Sequence, residues 1–182
     1  TENNDYKNAE KHLLNALKLA NSNELELVKG KIFNNLGVIS KRQGKLDEGL
    51  AFLHQSLEIK KKYNDNVLIT YETIIEIYIE QNLMEEATSE VVHAKKYVNE
   101  EIDQYRIKIL EGKINKKLNN HEIYELYLQD SIDFYFNRKL WKKAANLAEE
   151  FALYHSQLRK YKLSSKYYKI ALIANKNLFG GR

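Results

Sequence analysis

The sequence contains no cysteine and no proline, and it has only 7 glycines among its 182 residues. The absence of cysteine excludes disulfide scaffolds, cysteine-ligated zinc, thiol nucleophiles and iron–sulfur clusters. Because proline interrupts helices, a chain of this length without proline is expected to be helical almost throughout. The sequence also lacks an apolar run near the ~18–20 residues of a membrane span and a signal-peptide pattern in residues 1–25. We therefore expect a cytoplasmic protein that makes no contact with a membrane.

The sequence offers no constellation of residues for catalysis or for metal binding. Its 5 histidines have no ligand partner at metal-binding spacing, and His155 occupies a position that the helical pattern places in the core. Adjacent carboxylates such as Glu149 and Glu150 point in different directions on a helix, so they do not form an acid–base pair. A glycine-rich phosphate loop is also absent. The sequence therefore predicts no enzyme, no catalytic residue, no metal and no cofactor.

The positive charge of the chain is small and dispersed. The formal net charge is +4, from 29 Lys and Arg against 25 Asp and Glu. Strong nucleic-acid binders concentrate more positive charge on one face. We therefore expect contact with nucleic acid only through a domain that is absent from this chain.

Apolar residues recur at helical spacing from one end of the chain to the other. The pattern is interrupted by clusters of Asn, Gly and Lys, which are typical of helix ends. These breaks lie at residues 21–23, 43–45, 63–66, 81–82, 98–100, 118–120, 137–139 and 158–160. The sequence therefore predicts about nine helices joined by short turns.

The clearest repeating unit covers two of these helices. Its first helix carries Phe33-x2-Leu36-Gly37-x2-Ser40, and its second carries Gly49-x3-Leu53-x2-Ser56. This arrangement matches the tetratricopeptide pattern, in which small residues allow two helices to cross closely. The last small residue of successive units falls at Ala16, Ser56, Ala94, Ser131 and Ala171, which are 37–40 residues apart. A strict array repeats about every 34 residues, so the extra residues belong in longer second helices or in turns.

On these residues the chain resembles a tetratricopeptide-repeat protein over nearly its whole length. The resemblance implies an all-α fold, a right-handed superhelical solenoid of antiparallel helix hairpins with about 4.5 repeats. We expect residues 1–182 to form a single repeat domain. Its parts are a half repeat at 1–21 and hairpins at about 22–63, 64–98, 99–137 and 138–179.

The register of the fourth unit is open between two alternatives. Placing Gly112 at the tight helix crossing puts Glu111 in a core position, which is unfavourable if the carboxylate is buried. Moving the register by one residue puts Ile107, Leu110 and Ile114 inside and turns Gly112 toward the groove. The sequence does not decide between them.

The repeat spacing, the Asn34-Asn35 pair and the Lys-, Asn- and Tyr-rich composition narrow the resemblance further. They are similar to the repeat domains of cytosolic peptide-pheromone receptors in Gram-positive bacteria, the Rap–Rgg–NprR–PlcR–PrgX group. That resemblance implies a short signalling peptide bound on the inner surface and a possible homodimer. It also implies an N-terminal helix-turn-helix domain or helical bundle. The chain shows neither, so we expect it to be a fragment of a longer protein that lacks its N-terminal effector domain.

In a stacked-hairpin superhelix the first helix of each pair lines the concave face, where a peptide or extended protein segment binds. The candidate peptide-binding residues there are Lys31, Asn34, Asn35, Val38, Lys41, Arg42, Glu72, Thr73, Glu76, Ile109, Lys116, Asn146, Glu149 and Leu153. Asparagine both donates and accepts hydrogen bonds, so it can pair with the backbone of an extended peptide. Arg42 can hold a carboxylate through two hydrogen bonds. The charge alternates along this face, which favours a mixed-charge or partly apolar peptide over a polyanion.

The sequence thus favours a peptide-binding sensor domain of a transcriptional regulator, active in quorum sensing. The alternative is a protein–protein interaction scaffold or self-association module without a small ligand. A partner that covers the convex helices, with no peptide bound, would favour this second function.

Overall fold

The computed structural model describes residues 2–180, and all regular structure in this range is α-helical, with no strand. The helices are α1 (Glu2–Ser22), α2 (Glu26–Arg42), α3 (Leu46–Lys62), α4 (Leu68–Glu80), α5 (Met84–Lys95), α6 (Glu101–Lys117), α7 (His121–Asn137), α8 (Trp141–Gln157) and α9 (Tyr161–Phe179). Each turn between them lies at a predicted break or within a few residues of one. The all-helical prediction is therefore confirmed for the described residues.

Most of the turns share one backbone device. Seven of them contain a residue in the left-handed region, with φ between 51° and 76°: Glu24, Gly44, Asn64, Asn82, Asn119, Lys139 and Arg159. In the α2–α3 turn, the N–H of Gly44 donates to the carbonyl of Lys41 at 2.9 Å, and the N–H of Lys45 donates to that of Ser40 at 2.9 Å. This is a Schellman motif, which satisfies the last carbonyls of a helix and reverses the chain. Glycine and asparagine tolerate positive φ best, which explains why clusters of Asn and Gly predicted the breaks.

The chain divides into two compact units, residues 1–110 and residues 111–182. In the N-terminal unit, α1 packs on α2, α2 on α3, α3 on α4 and α4 on α5, and α2 also contacts α4. Gly37 lies at the α2–α3 crossing, where an added Cβ would be 2.5 Å from Cγ of Leu53 and 3.0 Å from the carbonyl oxygen of Gly49. The close crossing that the repeat pattern predicted is therefore present.

In the C-terminal unit, α7 packs on α8 and α8 on α9. The core between them is aromatic, with Phe151 of α8 touching Tyr124 of α7 edge-on at 5.9 Å between ring centroids and Tyr167 of α9 at 4.5 Å. Buried rings in such offset contacts add to the stability that burial alone provides. This cluster holds α7, α8 and α9 together.

Helix α6 combines the two registers that the sequence left open. Ile107, Leu110 and Ile114 are buried, as the second alternative expects. Gly112 is buried as well, and a Cβ there would be 3.1 Å from Leu128 of α7. The second alternative expected Gly112 to face the groove, and this part of it is wrong. Both features coexist because α6 is buried on two faces, while Glu111 stays half-buried.

Candidate functional site

Helices α2 and α4, the first helices of two successive hairpins, border a cavity of about 330 Å³ in the N-terminal unit. Its lining residues are Val38, Lys41, Arg42, Thr73, Glu76 and Glu80. Five of these six are residues that the sequence placed on the concave face, on helices 30 or more positions apart in the chain. Glu80 was not among the candidates, although it lies one turn beyond Glu76 on the same face of α4. We call this cavity the α2–α4 groove.

The charges of the α2–α4 groove are partly paired with one another. Lys41 Nζ lies 2.6 Å from Oε2 of Glu76 and 3.1 Å from Oε1 of Glu80, and the lysine side chain is largely buried. Arg42 is exposed, and its guanidinium carbon lies 6.0 Å from the ring centroid of Tyr6. The groove therefore holds a largely buried cation between two carboxylates, beside a second, accessible cation.

The structure separates the two neighbouring asparagines. Asn35 is exposed, as is Lys31, whereas Asn34 is buried. The Oδ1 atom of Asn34 accepts a hydrogen bond from the hydroxyl of Thr70 on α4 at 2.8 Å. Successive residues of a helix point about 100° apart, so one asparagine of a pair faces the neighbouring helix when the other faces solvent.

Glu72 of α4 pairs with Arg106 of α6, a residue that the sequence analysis did not single out. The Nη2 atom of Arg106 donates to Oε2 of Glu72 at 2.8 Å, and its Nη1 atom lies 3.3 Å from Oδ1 of Asp103. Burial lowers the pKa of Arg106, but the hydrogen bond and charge of Glu72, together with Asp103, outweigh it and raise the pKa. Ile109, the other candidate on α6 in this unit, is half-buried.

A sequence signal existed for these missed contacts. Lys41 and Glu76 are 35 residues apart, Glu72 and Arg106 are 34 apart, and Lys160 donates to Glu125 across 35 residues. Each of these pairs joins opposite charges 34 or 35 residues apart on neighbouring hairpins. A search for opposite charges at this spacing would have identified Arg106.

In the C-terminal unit the candidate residues lie on α6 and α8. Asn146, Glu149 and Leu153 of α8 are exposed, and Glu149 accepts a hydrogen bond from Asn175 of α9 at 3.2 Å. Lys116 is half-buried, with Nζ 5.0 Å from the ring centroids of both Tyr124 and Tyr154. A cation over two aromatic faces is held by the ring quadrupoles, so this lysine has a structural partner already.

Buried titratable groups lie beneath this face. Burial, and next the charges of Asp133 and Glu125, raise the pKa of Tyr167 to about 12. His155 is buried against Phe151 and Tyr167, with ring centroids 4.4 Å and 5.6 Å away. The core position predicted for this histidine is confirmed, but its Nδ1 atom has no hydrogen-bond partner among the described residues.

Neither a metal-binding cluster nor a membrane-spanning helix is found in the part of the chain that the structure describes. Among the side chains of residues 5–180, no group of three or more His, Asp or Glu could hold a metal ion. No helix in this range combines the length and the apolar character that crossing a membrane requires.

No family model matches the sequence. One curated relative, the transcriptional activator NprA of Geobacillus stearothermophilus, is 26% identical over 167 residues, which are 86% of this chain and 40% of NprA. The chain therefore spans less than half the length of that relative.

Solved structures match almost all of the chain. The apo form of RapI superposes with a TM-score of 0.80 at 18% identity, over 99% of this chain and 50% of RapI. Aspartyl phosphate phosphatase F from Bacillus subtilis superposes with a TM-score of 0.71 at 16% identity, over 94% of this chain and 45% of that protein. BtubC from P. vanneervenii superposes with a TM-score of 0.67 at 15% identity, over 97% of this chain and 74% of BtubC. These matches confirm a tetratricopeptide-like helical solenoid, whose fold resembles that of RapI and of aspartyl phosphate phosphatase F.

Proposed function

We propose that this chain is the peptide-binding sensor domain of a transcriptional regulator, and that a short signalling peptide binds in the α2–α4 groove. The observation that carries the proposal is the groove itself. Its volume of about 330 Å³ is at the low end of the ~300–1,000 Å³ typical of ligand sites, which suits an anchoring segment of a peptide. The similarity to a transcriptional activator supports the regulatory part of the proposal.

The groove offers each kind of contact that an extended peptide needs. Arg42 supplies an accessible guanidinium for a carboxylate. Val38 supplies apolar surface in the groove. Asn35 is not part of the lining, but it lies on α2 one turn before Val38 and supplies an exposed carboxamide for backbone groups of a peptide that extends past the groove. Lys41, Glu76 and Glu80 already balance one cation with two carboxylates, so a peptide of mixed charge fits better than a polyanion.

The remaining candidates extend the proposed contact surface within their own units. Lys31 and Ile109 belong to the N-terminal unit, whereas Asn146, Glu149 and Leu153 form an exposed face of α8. Peptide binding would favour one arrangement of the hairpins over others and so signal to an effector domain in a longer cytoplasmic protein. A homodimer is compatible with this role.

Isothermal titration calorimetry of the 182-residue chain with a panel of short synthetic peptides of mixed charge tests the proposal. We expect Arg42→Ala and Asn35→Ala to weaken binding of the best peptide about tenfold or more, because each would remove a hydrogen bond to the peptide. Lys18→Ala and Asn15→Ala, at exposed positions of α1, are the matched controls. Absence of binding by every peptide, or equal losses in variants and controls, would contradict the proposal.

One observation favours a second function, that of a protein-interaction scaffold. Leu172 of α9 is 69% exposed, whereas Leu57, at the equivalent position of α3, is 5% exposed. Helix α3 packs on α4, which follows it in the chain. Tyr161, Tyr168 and Phe179 lie on the same face of α9 and are exposed as well. An apolar stripe of this kind marks a protein-binding surface. If no peptide binds, and Leu172→Glu abolishes an association seen by sedimentation velocity, the scaffold function replaces peptide binding.

A further inference from the structure

Three polar side chains from three helices form a buried row beside the α2–α4 groove. Asn34 of α2, Lys60 of α3 and Thr70 of α4 are 8%, 5% and 0% exposed. Lys60 Nζ donates to Thr70 Oγ1 at 3.1 Å, and Thr70 Oγ1 donates to Asn34 Oδ1 at 2.8 Å. Asn34 lies one helical turn before Val38, which lines the groove. We call this row the Lys60–Thr70–Asn34 relay.

The relay has only one possible direction while the lysine carries its charge. An ammonium group donates hydrogen bonds and accepts none, so the oxygen of Thr70 must be the acceptor from Lys60. The single hydroxyl proton of Thr70 is then available for Asn34. Its partner must be an acceptor, and this assigns the Oδ1 atom of Asn34 to the side facing α4. The two orientations of the carboxamide, which differ by a half turn, are therefore not equivalent.

The nitrogen end of the carboxamide is not used by the relay. Within the described part of the chain, Nδ2 of Asn34 has no hydrogen-bond partner. The atom is not fully buried, so water reaches it. An amide nitrogen is a donor only. A group that binds there must supply an acceptor oxygen.

We infer that Lys60 and Thr70 are positioning residues for peptide binding, which hold the Asn34 carboxamide so that its N–H donors meet a backbone carbonyl oxygen of the peptide. This inference rests on the proposed function and adds a direction to it. Without the relay the Asn34 carboxamide can rotate by a half turn. Its Oδ1 atom then faces the carbonyl oxygen of the peptide for part of the time, and two acceptors cannot form a hydrogen bond. The relay thereby selects a peptide carbonyl over an N–H donor at this position.

The burial of Lys60 supports a role beyond packing. Burial lowers the pKa of the Lys60 ammonium group. The charge of Asp65 raises this pKa and partly offsets the effect of burial, whereas the charge of Lys31 lowers it further. Its other hydrogen bond goes to the carbonyl of Asn66 at 3.3 Å. Buried charges are often replaceable by apolar groups without loss of stability. Replacing both Lys60 and Thr70 by apolar residues therefore separates the relay's effect on binding from its effect on folding.

A double-mutant cycle on the best-binding peptide of the panel tests the inference. We expect Thr70→Val to weaken binding five- to tenfold and Thr70→Ser, which keeps the hydroxyl, to bind within twofold of the unmodified chain. In an Asn34→Ala background, Thr70→Val should cause no further loss. The Lys60→Met/Thr70→Val variant should stay folded and bind as weakly as Thr70→Val. The inference would be overturned if Thr70→Val reduced the affinity equally in the unmodified chain and in the Asn34→Ala background. It would also be overturned if Thr70→Ser reduced the affinity as much as Thr70→Val does.

A ligand-free measurement separates failure of the relay from failure of the proposed function. We expect the side-chain NH2 resonances of Asn34 in an NMR spectrum of the 182-residue chain to shift in Thr70→Val and to remain in place in Thr70→Ser. Unchanged NH2 resonances in Thr70→Val would overturn the positioning role whether or not any peptide binds. Shifted resonances in a chain that binds no peptide would support the positioning of Asn34 and reject the peptide.

Discussion

At the scale of single residues, Gly37 shows how one missing side chain sets the packing of two helices. A Cβ at this position would lie 2.5 Å from Cγ of Leu53, the branch point of a buried side chain, and 3.0 Å from a backbone oxygen of Gly49. A Cβ at Gly30 of the same helix would instead be 2.9 Å from the Cγ2 methyl of Ile59. The terminal methyl can move more easily than the backbone of α3.

We therefore predict that Gly37→Ala destabilises the chain by about 1–3 kcal/mol through overpacking. Gly30→Ala is the matched control, and it should lower the free energy of unfolding by less, because the Ile59 methyl can move aside. The gain in helix propensity is the same at both positions. Urea denaturation followed by circular dichroism measures both variants. Equal midpoints for the two would show that the α2–α3 crossing is not centred on Gly37.

His155 is a second residue whose environment has a measurable consequence. It is 1% exposed and its Nδ1 atom lacks a partner among the described residues. Burial lowers its pKa, with Glu125 raising it and Lys160 lowering it to smaller extents. In the window between the lowered folded-state pKa and the unfolded value near 6.5, the unfolded chain binds more protons than the folded one. Stability from His155 is therefore complete above about pH 6.5 and is lost as the pH falls through this window.

We predict that the melting temperature falls between pH 7.5 and pH 5, and that His155→Phe makes this fall shallower. His12→Phe, at an exposed position of α1, controls for the loss of a histidine. Differential scanning calorimetry across this pH range is the measurement. A pH profile that His155→Phe leaves unchanged would exclude this histidine as a source of acid sensitivity.

At the scale of the elements, the turns carry uneven conformational strain. Lys139 and Arg159 adopt φ of 58° and 56°, whereas Gly44 fills the corresponding position of the α2–α3 turn with φ of 76°. The left-handed region is unfavourable for a residue with a Cβ by roughly 1–2 kcal/mol. The helices nevertheless reverse there, because the Schellman hydrogen bonds and the packing of successive helices require it.

We predict that Lys139→Gly and Arg159→Gly each raise the free energy of unfolding by up to about 1 kcal/mol. Gly44→Ala should lower it by a similar amount, and no atom lies within 4 Å of a Cβ there, so the effect isolates the backbone. Chemical denaturation of the three variants is the test. A destabilising Lys139→Gly would mean that the lysine side chain matters more to this turn than the backbone strain does.

At the scale of the whole molecule, the features that depend on local interactions could be predicted from the sequence, whereas those that depend on non-local contacts could not. Helix hydrogen bonds join residues four apart and helix ends depend on one or two residues, so periodicity and Asn–Gly clusters predicted the helices and their breaks. The repeat pattern also predicted which face of α2 and α4 borders the groove, including Val38, Arg42 and Thr73. The peptide site itself stays a prediction until binding is measured.

The sequence by itself determined the all-helical class, the helix breaks and the tight crossing at Gly37, because each depends on short-range geometry or on a repeated pattern of side-chain size. Only the tertiary structure decided that Asn34 joins Thr70 across 36 residues and that Glu72 meets Arg106 across 34. It also decided that Gly112 packs against α7. These contacts depend on the angle and offset at which one hairpin stacks on the next, and side-chain packing along the entire contact sets both.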